Sequence, residues 1–206
     1  MTFSPEKVEK LRKAVEKRLG KKRFLHTLGV AKSAVKLAQM CENESKCEAE
    51  IAGLLHDITK ELTFDEQISI LQSHSVKLDC EDLECACVLH SFTAPLIIKA
   101  DFSEFATEKV LSAVRNHTIG SPDMSVFDEI IFLADFIEET RTYDACVLLR
   151  DFVFKNMKPG DYQNNVRILH LASVSAIDRT IINLIENKKA INSKNILTRN
   201  ALLSKI

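Results

Sequence analysis

Chain-breaking residues are too scarce here for a protein built from many turns. Five glycines and four prolines are spread over 206 residues, against the roughly 7% and 5% usual in globular chains. Low aromatic content and abundant Leu, Ile, Ala, Lys and Glu favour helices. The 46% hydrophobic content can fill one large core, and no Pro/Gly/Ser-rich linker divides the chain. The expectation is a single all-α domain, a helical bundle over residues 1–190, with 191–206 packing back onto it.

Local punctuation places the helices. Ser4-Pro5-Glu6 supplies a capping hydroxyl, a proline at the first helical position and a carboxylate near the positive end. The periodic Val8, Leu11, Val15 and Leu19 then run to a stop at Gly20. A second helix begins near Lys22 and carries Phe24, Leu28, Ala31, Val35 and Ala38 on one side, with His26 in its first turns. Residues 48–57, EAEIAGLLHD, form a third helix whose last two turns are apolar enough to be buried. Thr63-Phe64-Asp65-Glu66 is a capping-box pattern opening a helix through Leu71. Asp79 or Asp82 caps a helix running into His90, and Ser103 precedes one that leads through Val110, Leu111 and Val114 to His117. Gly120 and Pro122 mark 117–125 as a loop, and Ser125 caps the helix that delivers Asp135. Further helices are expected near 143–156 and 161–187.

A net charge of −1 offers no global basic field for holding nucleic acid. The N-terminus is charged and has no apolar core of a signal peptide, and no apolar run approaches the roughly 20 residues that span a bilayer. Six cysteines with no C-x-x-C spacing read as reduced thiols. A cytoplasmic protein with neither nucleic-acid nor membrane partners is expected.

The chemistry concentrates at His56-Asp57. Two polar side chains ending a buried helix are costly unless something partners them. His26, His90, His117 and Asp135 stand at helix-friendly positions around the pair, and Asp135 is embedded between Ile130–Ala134 and Phe136-Ile137. These nitrogen and oxygen donors, with no thiolate, suit iron or manganese better than a structural zinc. Neighbours on a helix point about 100° apart, which a two-metal site can use: the histidine holds one ion while the carboxylate bridges to a second. A phosphohydrolase is the resulting expectation. Plainer readings exist for single members. His26 alone could be a hydrogen-bonded helix histidine, His90 and His117 ordinary helix-end residues, and Lys21 and Lys22 solvated cations. His74 lies in a polar stretch, and His170 on an apolar helix reads as a packed or hydrogen-bonded residue.

The ordered set H…HD…H…H…D resembles the HD-domain metal-dependent phosphohydrolases. The longer stretches RFLHTLGV (23–30), GLLHDITK (53–60), NHTIG (116–120), ADFIEETR (134–141) and LTRNALL (197–203) look like the YqeK family of that superfamily. The resemblance implies the HD-domain bundle and symmetric hydrolysis of diadenosine tetraphosphate to two ADP through a metal-activated water. It implies iron as the metal, with manganese as the alternative. Carried over residue by residue, His26, His56, Asp57 and Asp135 would form the metal shell, with Asp57 also orienting the attacking water. His90 and His117 would serve a second ion or the phosphate, and would position the target phosphorus. Arg23, Ile58, Thr59, Lys60, His90, His117, Thr118 and Arg141 would meet the substrate. Two places depart from the family pattern: Ser91 stands where a glycine is usual, and the pair Glu139-Thr140 where a proline is common. Other nucleotides (a dNTP, a nucleoside monophosphate or a guanosine alarmone), or a nucleotide-sensing role without turnover, remain alternatives. A homodimer is left open.

Overall fold

The computed structural model describes residues 3–41 and 46–206, which form eleven α-helices and, among the described residues, no strand. They are α1 (Pro5–Arg18), α2 (Lys21–Cys41), α3 (Lys46–Leu55), α4 (Phe64–Ser73), α5 (Cys80–Glu84) and α6 (Leu89–Asp101). There follow α7 (Glu108–Asn116), α8 (Val126–Ile137), α9 (Asp144–Asn156), α10 (Tyr162–Glu186) and α11 (Ser193–Leu203). The fold is an all-α bundle. Ser4 caps α1 with Pro5 in its first turn, and Thr63–Glu66 and Ser125–Asp128 form the capping boxes of α4 and α8. Each satisfies backbone donors that a helix start would otherwise leave open.

The core lies where α2 crosses α3 and α8, with α7 and α10 closing the sides. Fully buried Leu37, Leu54, Leu55, Ile130, Ile131 and Leu133 meet there. The approach of α2 to α3 depends on Gly53, because a Cβ at that position would sit 2.6 Å from the Ala31 Cα. α10 is long and apolar enough to cross a membrane by length and composition. It lies against α8, α9 and α2, however, and Ile168, Leu169, Ala172, Ala176 and Ile177 join the core.

Three boundaries differ from the sequence expectation, the first being that α3 stops at Leu55 and leaves His56-Asp57 in the turn after it. Asp79 caps only the five-residue α5, and α6 begins afresh at Leu89. The reason is tertiary: the buried Asp82 carboxylate is held by Asn192 (3.0 Å) and by Lys194 (2.7 Å) from the far end of the chain. Ser103 opens a 3-10 turn that drops Phe105 into the core, and the cap of α7 is Thr107, whose hydroxyl also donates to Glu48.

The C-terminal segment reaches the loop after α7. Thr198 donates to the Ile119 carbonyl (3.2 Å) and Lys205 to that of Met124 (3.2 Å). Leu202 is fully buried.

Gly53→Ala should destabilise the fold by about 1–3 kcal/mol, the range of an overpacked core, and a lowered Tm would register it. An unchanged Tm would mean that α2 and α3 separate at little cost.

Candidate metal centre

Residues within two turns of a helix end carry the whole cluster. His26 lies in the second turn of α2, His56-Asp57 directly follows α3, His90 is in the first turn of α6, His117 terminates α7, and Asp135 lies in the last turn of α8. His56 and His117 are oriented by one device. Each Nδ1–H donates to the carbonyl three residues back, to Gly53 at 2.7 Å and Val114 at 2.6 Å. His26 Nδ1 instead meets Glu138 Oε1 at 3.0 Å. With Nδ1 engaged in all three, every Nε2 is left facing the centre. The rings form a row, His26–His56–His117–His90, with centroids 5.4, 5.1 and 4.9 Å apart.

Asp57 sits between two groups of these nitrogens. Its Oδ2 lies 3.4 Å from His56 Nε2 and 3.8 Å from His26 Nε2, and accepts from Arg23 Nη1 at 2.7 Å. Its Oδ1 faces the other way, 3.2 Å from His90 Nε2 and 3.6 Å from His117 Nε2. Asp135 Oδ1 is 3.0 Å from His26 Nε2 and accepts from Arg141 Nη2 at 2.6 Å, while Arg141 Nε binds the Asp135 carbonyl. Ligand atoms of His26, His56 and Asp135 lie within 4.8 Å of one another, as do those of His56, Asp57 and His117.

The electrostatics fit a cation. Burial pushes the Asp57 carboxyl upward, yet His56, His117 and His90 hold it well below the usual range. Asp135 is likewise low because Arg141 and His26 outweigh its burial. For His26 burial is again opposed, and hydrogen bonds to Asp135 and Glu138 raise it from 6.5 to about 9. His90 is pushed down to about 4 by burial, against the pull of Asp57, and is neutral. The His56 Nε2 is buried with no hydrogen-bond partner among the described residues, and the His26 Nε2 faces the Asp135 carboxylate. A buried nitrogen acceptor left open beside ionised carboxylates is what a divalent ion requires, so the donor set fits a metal.

Glu138 was not singled out in the sequence. It is fully buried, accepts from His26 and from the Thr140 backbone and hydroxyl, and lies over Gly29, where a Cβ would come within 2.3 Å of its Oε2. Its position within the ADFIEETR stretch was the available signal. Lys60 reaches the cluster: its ammonium lies 3.2 Å from His90 Nδ1 and donates to the Cys87 carbonyl. The Thr118 hydroxyl is 3.1 Å from both His90 Nε2 and His117 Nε2. Ile58 and Thr59 are different. The Ile58 side chain belongs to the core, and the Thr59 hydroxyl donates to the His90 carbonyl and meets the Thr93 hydroxyl. Lys22, read as a solvated cation, lines a cleft beside Arg23 and His26. His170 is a buried partner of Glu129 (2.9 Å), away from the cluster.

Comparison with known proteins agrees with this geometry. The HD domain matches residues 23–139, more than half of the chain and every residue of the cluster. The chain belongs to the HD-domain family. A Staphylococcus aureus protein named symmetrical bis(5'-nucleosyl)-tetraphosphatase is 29% identical over 147 residues, covering 71% of this chain and 74% of its own. A Bacillus subtilis protein of the same name is 26% identical over 190 residues, covering 92% and 94%. The crystal structure of a predicted HD superfamily hydrolase involved in NAD metabolism from Clostridium acetobutylicum superposes with a TM-score of 0.82. It is 30% identical and both chains are covered fully. This HD-domain protein is accordingly a hydrolase of a family that binds divalent metal.

Glu138→Gln should loosen metal binding by about 10–100-fold, the usual effect of losing a carboxylate behind a histidine ligand, measured by metal titration. Unchanged affinity would leave Glu138 a purely structural role. In metal-free protein His26 holds a proton between the Asp135 and Glu138 carboxylates. Its folded pKa of about 9 exceeds the unfolded 6.5, so the stability it contributes is complete below pH 6.5 and is lost as the pH rises through about 9. Urea titrations across that window should show the decline, and His26→Gln should remove it.

Proposed function

We propose that this HD-domain protein splits diadenosine tetraphosphate symmetrically into two ADP, using a divalent ion, iron first and manganese as substitute. The observation that carries the reading is the division of Asp57, one oxygen toward His26 and His56 and the other toward His90 and His117. A carboxylate so placed can hold an ion on one side and order a water or phosphoryl oxygen on the other. The names of the S. aureus and B. subtilis relatives support the choice of substrate.

His26, His56, Asp57 and Asp135 would hold the ion, which supplies Lewis acidity and lowers the pKa of a water. The chain's own groups do the rest. Asp57 orients the attacking water. His117 and Thr118 place a phosphoryl oxygen in line, since their polar atoms converge within 3.1 Å. Lys60, Arg23 and Arg141 set positive charge around the position where charge grows in the transition state. The water oxygen bonds to one central phosphorus as its proton passes to solvent, the bond from that phosphorus to the bridging oxygen breaks, and the electron pair leaves with the second ADP. An ADP leaving group is stable as an anion, so no dedicated acid is needed, and the neutral His90 is free to act as a hydrogen-bonding group.

The test is anaerobic reconstitution with ferrous iron, incubation with diadenosine tetraphosphate and chromatographic identification of products. ADP alone is expected. AMP plus ATP would overturn symmetric cleavage, and no product from metal-loaded protein would overturn the substrate. Asp57→Asn should bring turnover below detection and reduce bound metal with it. Full activity in a metal-verified Asp57→Asn sample would refute the role given to that carboxylate.

A further inference from the structure

The cluster lies between two clefts of unlike character. One, of about 520 Å³, runs from His117 and Asp135 along Phe132 and Phe136 of α8 to Arg179 and Asn183 of α10. The other, of about 620 Å³, opens past His26 and is walled by Lys22, Arg23, Glu61, Thr140 and Thr142. Arg141 and Tyr143 line both. Each cleft is within the ~300–1,000 Å³ that small-molecule sites occupy.

We propose that the cleft between α8 and α10 is a nucleoside pocket in which Tyr143 stacks on the base and Arg179 and Asn183 bind its edge, and that the opposite cleft holds the second half of the substrate by its phosphates alone. The inference rests on the phosphohydrolase reading above and deepens it. A base needs an apolar floor and a π-face, and the first cleft has both. Phe132 and Phe136 form its floor, and the Tyr143 ring is 73% exposed at its lip. An aromatic ring left that open can take a base without disturbing any packing. The edge groups are also unclaimed. Arg179 is exposed and has no hydrogen-bond or ion-pair partner among the described residues, unlike Arg199 of α11, which is bound to Asp178, the residue before Arg179. Asn183 accepts a hydrogen bond from Asn187 through its Oδ1, which leaves its amide hydrogens for the ring acceptors of a purine.

The second cleft has no comparable floor. Apart from Tyr143 its lining is charged or hydroxylic, suited to phosphate rather than to a base. A substrate with two identical halves would therefore be held asymmetrically, with one nucleoside recognised and its twin left loosely placed.

The test uses full-length protein loaded with metal. Tyr143→Ala and the double variant Arg179→Ala/Asn183→Ala alter only exposed side chains, so folding is safe. Diadenosine tetraphosphate should show a KM raised about tenfold in Tyr143→Ala, the scale of one lost base stack, with little change in kcat. ADP should weaken as an inhibitor by a similar factor, while inorganic tripolyphosphate inhibits wild type and variants alike. Adenosine 5'-tetraphosphate should compete about as well as diadenosine tetraphosphate. Unchanged KM, or equal weakening of ADP and tripolyphosphate, would overturn the nucleoside pocket. A large advantage of the dinucleotide over adenosine tetraphosphate would overturn the one-sided grip. Should wild type fail to cleave diadenosine tetraphosphate, that failure belongs to the substrate reading. Calorimetric binding of ADP against tripolyphosphate then decides the pocket by itself.

Discussion

One buried carboxylate organises this protein. Asp57 is 3% exposed, and an isolated charge at that depth would be strongly destabilising. It is tolerated because Arg23 and four imidazoles converge on it from three other helices and the turn that carries it. That convergence sets demands on the scaffold. α2 must approach α3 closely enough for His26 to come within 3.8 Å of Asp57, which the missing side chain at Gly53 permits. α6 and α7 must present their ends at one point, so that His90 Nε2 and His117 Nε2 lie 3.0 Å apart. Removing either oxygen's partners leaves the other side's imidazoles without the anion that orders them, so damage at one helix end should be felt at the others.

The C-terminal helix takes part in this arrangement without entering the chemistry. α11 is fastened at its start by Lys194 and Asn192 to Asp82, and along its length by Thr198 to the carbonyl of Ile119, two residues beyond His117. Gly120, at φ 70°, occupies backbone space that glycine favours, directly under Thr198. The stretch LTRNALL therefore fixes the loop that aims His117 and Thr118. The likeness of that ending to the YqeK pattern is a matter of support, whereas the likeness around His56-Asp57 is one of chemistry.

What the sequence discloses follows from how local each interaction is. Helix starts at Ser4, Thr63 and Ser125 are capped by their own first turns, and reading them needs no tertiary knowledge. The His and Asp set is legible because polar residues at the ends of apolar runs need partners. The break between α5 and α6 depends on Asp82 meeting Lys194 across 112 positions, and no local pattern announces it. Glu138 escapes notice for a related reason. Acidic residues after a helix are common, and only the bare surface of Gly29 lets this one reach His26. Ile58 and Thr59 show another limit of local reading. Adjacency to the dyad suggests contact with substrate, but the turn after α3 sends both side chains inward.

Charge accounts for why an ion and an anionic substrate belong together here. Asp57, Asp135 and Glu138 are held ionised, and Arg23, Lys60 and Arg141 stand among them. Three negative charges thus meet three positive ones, and a proton on His26 adds one more. A divalent ion in place of that proton would raise the local charge by a further unit. The polyphosphate is drawn most strongly to the metal-loaded state, because the carboxylates have by then been neutralised and the arginines face outward charge alone. Metal binding before substrate is the order that this balance favours, since the same carboxylates would repel the substrate with no ion beside them.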